Sequence, residues 1–243
     1  MPESFRDRAR AESFGSIAER YDRYRPTVPD ELLDEFAALN PSRVLDVACG
    51  TGKIARGLMD RGLTVLGIEI DERMAAVARG HGVTVEVAAF EDWDDGGRTY
   101  DLITCGDAWH WIDPVRGWRK IGQVLRPGGT VARTWNHYEV DEPLRSALRG
   151  VFERVLPEID HSGPGDGRDE SDPRVENRKY LWERSYSADE WVALISTYSV
   201  NLTLEPARLA ELQRELHDAI TAAGGTVHVH GWTFVSRSRA APR

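Results

Sequence analysis

Apolar runs of strand length alternate with segments of helical periodicity, the pattern of βαβ units packed into a parallel sheet covered on both faces. Strands are expected at about 43–48, 63–69, 83–88, 99–105 and 129–136, each apolar enough to be buried on both sides. Between them the spacing predicts helices at about 52–61, 72–80 and 114–125, and Pro29 opens an earlier one near 29–39 that Asn40-Pro41 closes. Later strand-like stretches near 179–186 and 226–236, with helices near 142–156, 187–197 and 205–222, bring the total to about seven strands. Pro157 to Val175, rich in Gly, Asp and Pro, reads as a long connection, either solvated or covering a site.

Composition narrows the class. The 243 residues suffice for one sizeable core. No run approaches the ~18–20 apolar residues of a membrane helix, so no membrane partner is expected. Met1 to Arg10 is Arg-rich and lacks an apolar stretch, so the expected location is cytoplasmic. A formal charge of −9, spread over both halves, works against nucleic acid as a partner. Cys49 and Cys105 have neither a CxxC neighbour nor a His cluster, so neither a disulfide framework nor a metal site is expected.

The chemistry starts where the first strand, Val44-Leu45-Asp46-Val47, runs into Ala48-Cys49-Gly50-Thr51-Gly52-Lys53. Glycines there let the backbone approach a ligand, and the helix that follows offers unpaired N–H groups. By itself such a turn fits a nicotinamide dinucleotide, a flavin or a nucleoside. Asp46 separates these, because its charge repels a pyrophosphate and suits an ammonium group. Glu69, at the end of the second strand, stands where a carboxylate accepts from ribose hydroxyls.

These residues resemble the class I S-adenosylmethionine-dependent methyltransferases, in particular their small-molecule, trans-aconitate methyltransferase-like branch. The matching motifs are Asp46 to Gly52, Glu69, Ala89-Phe90-Glu91, Tyr100-Asp101-Leu102-Ile103 and Leu125-Arg126-Pro127-Gly128-Gly129. Ala48 departs from the fullest form of the motif, which has Gly there; a negative φ would make it tolerable. The resemblance implies one Rossmann-like, doubly wound α/β domain over 1–243, with a mostly parallel seven-stranded sheet whose last strand is antiparallel. It implies S-adenosyl-L-methionine as cofactor and S-adenosyl-L-homocysteine as product. Gly50, Thr51 and Gly52, with Ala48 before them, would wrap the methionine part, Asp46 its amino group and Glu69 the ribose. Ile70 and Met74 would sandwich the adenine, and Ala89, Phe90 and Glu91 would meet its edge. Cys105 and Gly106 would border the sulfonium. Phe14 to Arg25 resembles a cover helix, from which Tyr21 and Arg25 would reach the cofactor carboxylate. Residues 1–30 and 138–178 would form the cover and a cap or lid insertion.

The expected acceptor is a small molecule methylated on O or N. Trp109, Trp135, Asn136 and His137 follow the fourth and fifth strands, at the edge where open α/β sheets bind ligands. Trp111, followed by Ile112, reads as core. His110 is the candidate proton acceptor, and Arg25 or Arg133 would suit an acidic acceptor. The alternatives are a non-catalytic S-adenosylmethionine-binding regulator and a nicotinamide-dependent oxidoreductase.

Overall fold

The computed structural model describes residues 12–158 and 175–240, with Phe5 and Asp7. Its strands are β1 Val44–Val47, β2 Val65–Glu69, β3 Thr84–Val87, β4 Tyr100–Gly106, β5 Leu125–Val140, β6 Val175–Ser187 and β7 Thr226–Arg239. They form one sheet in the order β3-β2-β1-β4-β5-β7-β6. The first five pair in parallel, and β7 runs antiparallel to both β5 and β6. This is the doubly wound, mostly parallel sheet that the sequence pattern predicts, with the antiparallel last strand that the resemblance implies. The order reverses between β1 and β4, and open α/β sheets bind ligands at the carboxyl ends of strands beside such a reversal.

The helices are α1 Ala18–Tyr24, α2 Asp30–Ala38, α3 Lys53–Met59, α4 Glu72–Gly80, α5 Pro114–Val124, α6 Leu144–Val155, α7 Ala188–Ile195, α8 Ser199–Leu202 and α9 Pro206–Ala222. Side-chain caps fix three of the described starts, that of α7 through Ser187, which accepts from the Glu190 amide. Asp71 accepts from the Arg73 and Met74 amides at the start of α4, and Asp113 does the same for Val115 and Arg116 ahead of α5, where Pro114 fills the first turn. One core cluster joins α2, α3 and α4 to the sheet through Leu32, Leu33, Phe36, Ile54, Leu58 and Ala78. A second holds Trp93, Tyr100, Trp109 and Ile121 against Val47, Ile103 and Trp135. A third packs α6, α7 and α9 on the outer strands through Leu148, Trp191, Leu194, Leu212, Leu216, Tyr186 and Val229.

The main departure from the expected boundaries is the length of the last three strands. β5 continues past residue 136 because Asn136 to Val140 keep pairing with β7, from Asn136↔Thr233 to Val140↔Val229. The expected cap over 138–178 is thus divided among the end of β5, helix α6 and the start of β6, and its remainder, 159–174, lies outside the described residues. Most of the expected long connection at 157–175 falls there too.

Candidate functional site

β1 is buried at all four positions, so the chain leaves the sheet interior abruptly and must curl to begin α3. Gly50 and Gly52 supply that curl with φ of +57° and +80°. At Gly52 space is short as well, since a Cβ would stand 3.0 Å from Val83 Cγ2. Ala48 also has positive φ, +50°, which corrects the expectation of a negative one. The cause is tertiary: the Cys49 amide donates to the Ile68 carbonyl at 3.0 Å, bending the chain over β2 before the first glycine.

Asp46 is 2% exposed and its Oδ1 accepts from the Thr104 hydroxyl at 2.7 Å. Burial raises its carboxyl to about 7 despite that hydrogen bond, and no cation pairs with it among the described residues. Glu69 is held from three sides: Oε2 accepts from the Gly50 amide at 2.8 Å, and Oε1 from the Ile70 and Asp71 amides at 2.9 and 3.0 Å. Burial nevertheless keeps its carboxyl above the ordinary value. With about four acceptor positions on a carboxylate and three in use, Glu69 retains roughly one for a ligand hydroxyl.

Beside Glu69 a pocket opens between the turns that follow β1, β2, β3 and β4. Ala48, Ile68, Ile70, Ala88, Ala89, Phe90, Glu91, Trp111 and Ile112 line it, with Phe5. Ile70, Ala89, Phe90 and Glu91, the residues expected around an adenine, are together in this lining. Met74 does not line this pocket; it is buried beneath the glycine turn, its methyl carbon 3.5 Å from the Cβ position of Gly50. Trp111, read as core, packs half-buried against the second core cluster and is also a pocket wall, its ring edge-on to Phe14 at 6.1 Å. Glu91 also accepts from the Asp113 amide at 2.8 Å, which ties the pocket rim to the start of α5.

At the end of β4, Asp107 adopts a φ of +51° immediately after Cys105 and Gly106. Its two carboxylate oxygens accept from the Asn136 amide and side-chain nitrogen at 2.8 and 2.9 Å. Asn136 in turn accepts from the Thr233 hydroxyl at 2.7 Å. Burial raises the Asp107 carboxyl and the Cys105 thiol. Tyr21 and Arg25 come to this corner from α1. Burial pushes the Tyr21 hydroxyl up to about 12, with the charges of Arg25, Asp107 and Glu69 all felt there. Arg25 donates to the Thr197 hydroxyl and carbonyl at 2.8 and 3.1 Å and lies over the Tyr198 ring. Thr197 and Tyr198 carry no local sequence signal, being some 170 residues away, and only folding assembles this corner.

The expected acceptor wall is less united. Trp109 and Trp135 are buried, and with the exposed Trp118 they surround the Arg133 guanidinium at 5.0–5.5 Å, while Arg133 donates to Ser236 at 3.1 Å. These four belong to the layer between the sheet and α5, away from Asp107. His137 points to the same side of the sheet, stacked on Trp232 at 5.5 Å. His110 sits in the short 3-10 turn Trp109–Trp111, its ring 4.8 Å from Trp111. Of the expected substrate residues, Asn136 is joined to Asp107 by hydrogen bonds, and the charge of His137 also acts on the Asp107 carboxyl.

An α/β sheet with a glycine turn, a buried acid at the end of β1 and a second at the end of β2 defines a nucleoside-cofactor-binding protein of the doubly wound class. Residues 44–129 match the family model of a methyltransferase domain. An uncharacterized methyltransferase of Mycobacterium tuberculosis (strain ATCC 25618 / H37Rv) is 36% identical over 126 residues, 51% of this chain and 52% of that one. The ubiquinone biosynthesis O-methyltransferase of Pseudomonas syringae pv. syringae is 33% identical over 142 residues, 51% of this chain and 61% of that one. The chain thus spans between about half and three-fifths of the length of these curated relatives. Among solved structures, a putative type II methyltransferase from Anaeromyxobacter dehalogenans superposes with a TM-score of 0.65 at 22% identity, over 90% of this chain and all of that one. The similarity to methyltransferases is thus carried by residues 44–129, and the solved structure shares the fold. The site fits S-adenosylmethionine: among the described residues Asp46 is a buried carboxylate paired with no cation, and the pocket beside Glu69 is mostly apolar, as an adenine requires.

Proposed function

We propose that this protein transfers a methyl group from S-adenosylmethionine to an O or N atom of a small molecule. The observation that carries the reading is Asp46, a buried acid at the mouth of the glycine turn with no positive partner among the described residues. An ammonium group there restores the charge balance that burial disturbs. Glu69 takes a ribose hydroxyl, Ile70, Ala89 and Trp111 enclose the adenine, and Gly50, Thr51 and Gly52 follow the methionine backbone. Tyr21 and Arg25 face its carboxylate, and Cys105 and Gly106 border the sulfonium.

When bound, the cofactor supplies an electrophilic methyl group on a positively charged sulfur. The chain's own part is to exclude water and to align the acceptor, because a charge that vanishes during transfer is favoured by a dry surrounding. The buried aromatic and tyrosine residues at the ends of β4 and β5 supply that surrounding. His110 takes the acceptor proton where one is released. The acceptor enters against Asp107, Asn136 and Tyr138, whereas Trp109, Trp135 and Arg133 serve the turn from behind. The O-methyltransferase relatives in Pseudomonas support oxygen as the acceptor atom, and the charge of −9 favours a small molecule over nucleic acid.

Calorimetry with S-adenosylhomocysteine tests the site. Tight binding by the wild type, weakened in both Asp46→Ala and Glu69→Ala, is expected; equal affinity in all three would sink the assignment. A panel of small acids, amines and phenols with labelled cofactor tests the transfer, and full turnover in His110→Ala would remove His110 as the base. Cofactor binding without transfer to any acceptor would favour the regulatory alternative.

A further inference from the structure

The cover over the site is fastened through a residue that does not face it. Helix α1 has 7 residues, no side-chain hydrogen bond at its N-cap Ile17, and Ala18 as its buried residue. So short and uncapped a helix is not stable by itself. Tyr21 and Arg25, four apart, share the face turned toward Asp107 and Glu69. Asp22 lies about 100° further round the helix and makes the attachments. Its carboxylate accepts from Arg56 Nη2 at 2.8 Å and pairs with His81 Nε2 at 3.0 Å, and its carbonyl accepts from Lys53 Nζ at 2.5 Å.

The partners are placed for consequence. Lys53 and Arg56 open α3 directly after the glycine turn, and His81 closes α4. One side chain of α1 therefore bridges both helices that flank the turn. The attachment is largely enclosed, with the Asp22 side chain 17% exposed and Arg56 27%. Burial opposes the Asp22 charge, yet Thr51, Lys53, Arg56 and His81 together hold its carboxyl below the ordinary value. A second attachment precedes it. Gly15 lies against the Asp71 side chain, where a Cβ would stand 2.2 Å from the carboxylate oxygens.

We propose that Asp22 is a positioning residue for cofactor binding: its bonds to Lys53, Arg56 and His81 seat α1 on the rim of the glycine turn and so aim Tyr21 and Arg25 into the site. The proposal rests on the methyltransferase reading above. Without the bridge, α1 keeps only the contacts at its two ends, Gly15 on Asp71 and Arg25 on Thr197 and Tyr198, and the aim of two cofactor-facing side chains loosens together.

The test compares wild type, Asp22→Asn, Asp22→Glu and Arg56→Gln by S-adenosylhomocysteine calorimetry, stopped-flow release and hydrogen exchange. Asp22→Asn and Arg56→Gln should each weaken binding about tenfold, the scale of a lost charge-assisted hydrogen bond, mainly through faster release. Exchange across 12–25 should accelerate while β1 and β4 stay protected, and Asp22→Glu should recover part of the affinity. Asp30→Asn, which breaks the exposed pair with Arg61 at 3.0 Å, should leave binding unchanged. Wild-type release rates in Asp22→Asn overturn the proposal, as does loss of protection throughout the sheet, which would mean a role in global stability. A wild type that does not bind S-adenosylhomocysteine overturns the functional reading itself; unaltered exchange at 12–25 in Asp22→Asn overturns the seating of α1 regardless.

Discussion

The guanidinium of Arg25 lies 3.8 Å above the ring of Tyr198, joining the end of α1 to the loop between α7 and α8. The same group donates to Thr197 through Nε and Nη2, so the plane and the fork of the guanidinium are both in use. A lysine keeps the charge and loses both features. Arg25→Lys is therefore expected to weaken S-adenosylhomocysteine binding by roughly tenfold or more. Tyr198→Phe, which keeps the ring and removes only the hydroxyl shared with Tyr138, should bind nearly as the wild type. Calorimetry on the two variants checks the contrast.

Asp46 makes both stability and binding depend on pH. Its folded value of about 7 lies above the unfolded one, so the folded state holds a proton that the unfolded state has released between about pH 4 and 7. Stability from this group is present below the unfolded value and is lost as pH rises through 7. Asp46→Asn removes the dependence, and thermal melts of the free protein should show the variant gaining on the wild type from pH 4 to 7. Binding has the opposite sign, because the carboxylate form attracts the ammonium. Wild-type affinity for S-adenosylhomocysteine should rise between about pH 6 and 8, and that rise should be missing in Asp46→Asn.

Ala48 carries a cost that its motif usually avoids. A positive φ costs an L-residue about 1–2 kcal/mol, and glycine gives back part of the gain through its larger unfolded-state freedom. Ala48→Gly should raise stability by about 0.5–1 kcal/mol in urea titration. A destabilised variant would show that the Ala48 methyl, which lines the pocket, contributes more than its backbone strain removes.

Trp111 is expected to matter to the cofactor more than to the core. Trp111→Ala removes one wall of the apolar pocket and the edge contact with Phe14. The variant should lose about 2 kcal/mol or more of S-adenosylhomocysteine affinity while its melting temperature changes by only a few degrees. Trp109→Ala, by contrast, opens a hole among Arg133, Trp118 and Ile112, and should chiefly lower the melting temperature.

The parts legible in the sequence are those with a local physical cause. The parallel strands announce themselves by continuous burial, as in Val44-Leu45-Asp46-Val47, and the glycine turn by the conformations that Gly50 and Gly52 must adopt. The acids at the ends of β1 and β2 are visible for the same reason, since a charge inside an apolar strand needs a purpose. Trp109 and Trp111 were not separable in this way. Two residues apart on one short turn, they touch the same core cluster, but Trp109 is buried beside Arg133 while Trp111 meets Phe14 and lines the pocket.

Hydrophobic alternation, strand-end acids and the glycine turn thus determined the sheet, its polarity and the class of cofactor, because period, burial and backbone conformation are properties of neighbouring residues. Tertiary structure alone decided the positive φ of Ala48, the division of the tryptophans between pocket and core, and the meeting of Arg25 with Thr197 and Tyr198. It also decided that Asp22 joins α1 to α3 and α4. Those outcomes depend on contacts between segments distant along the chain, whose relative placement follows from the packing of the sheet and its helices.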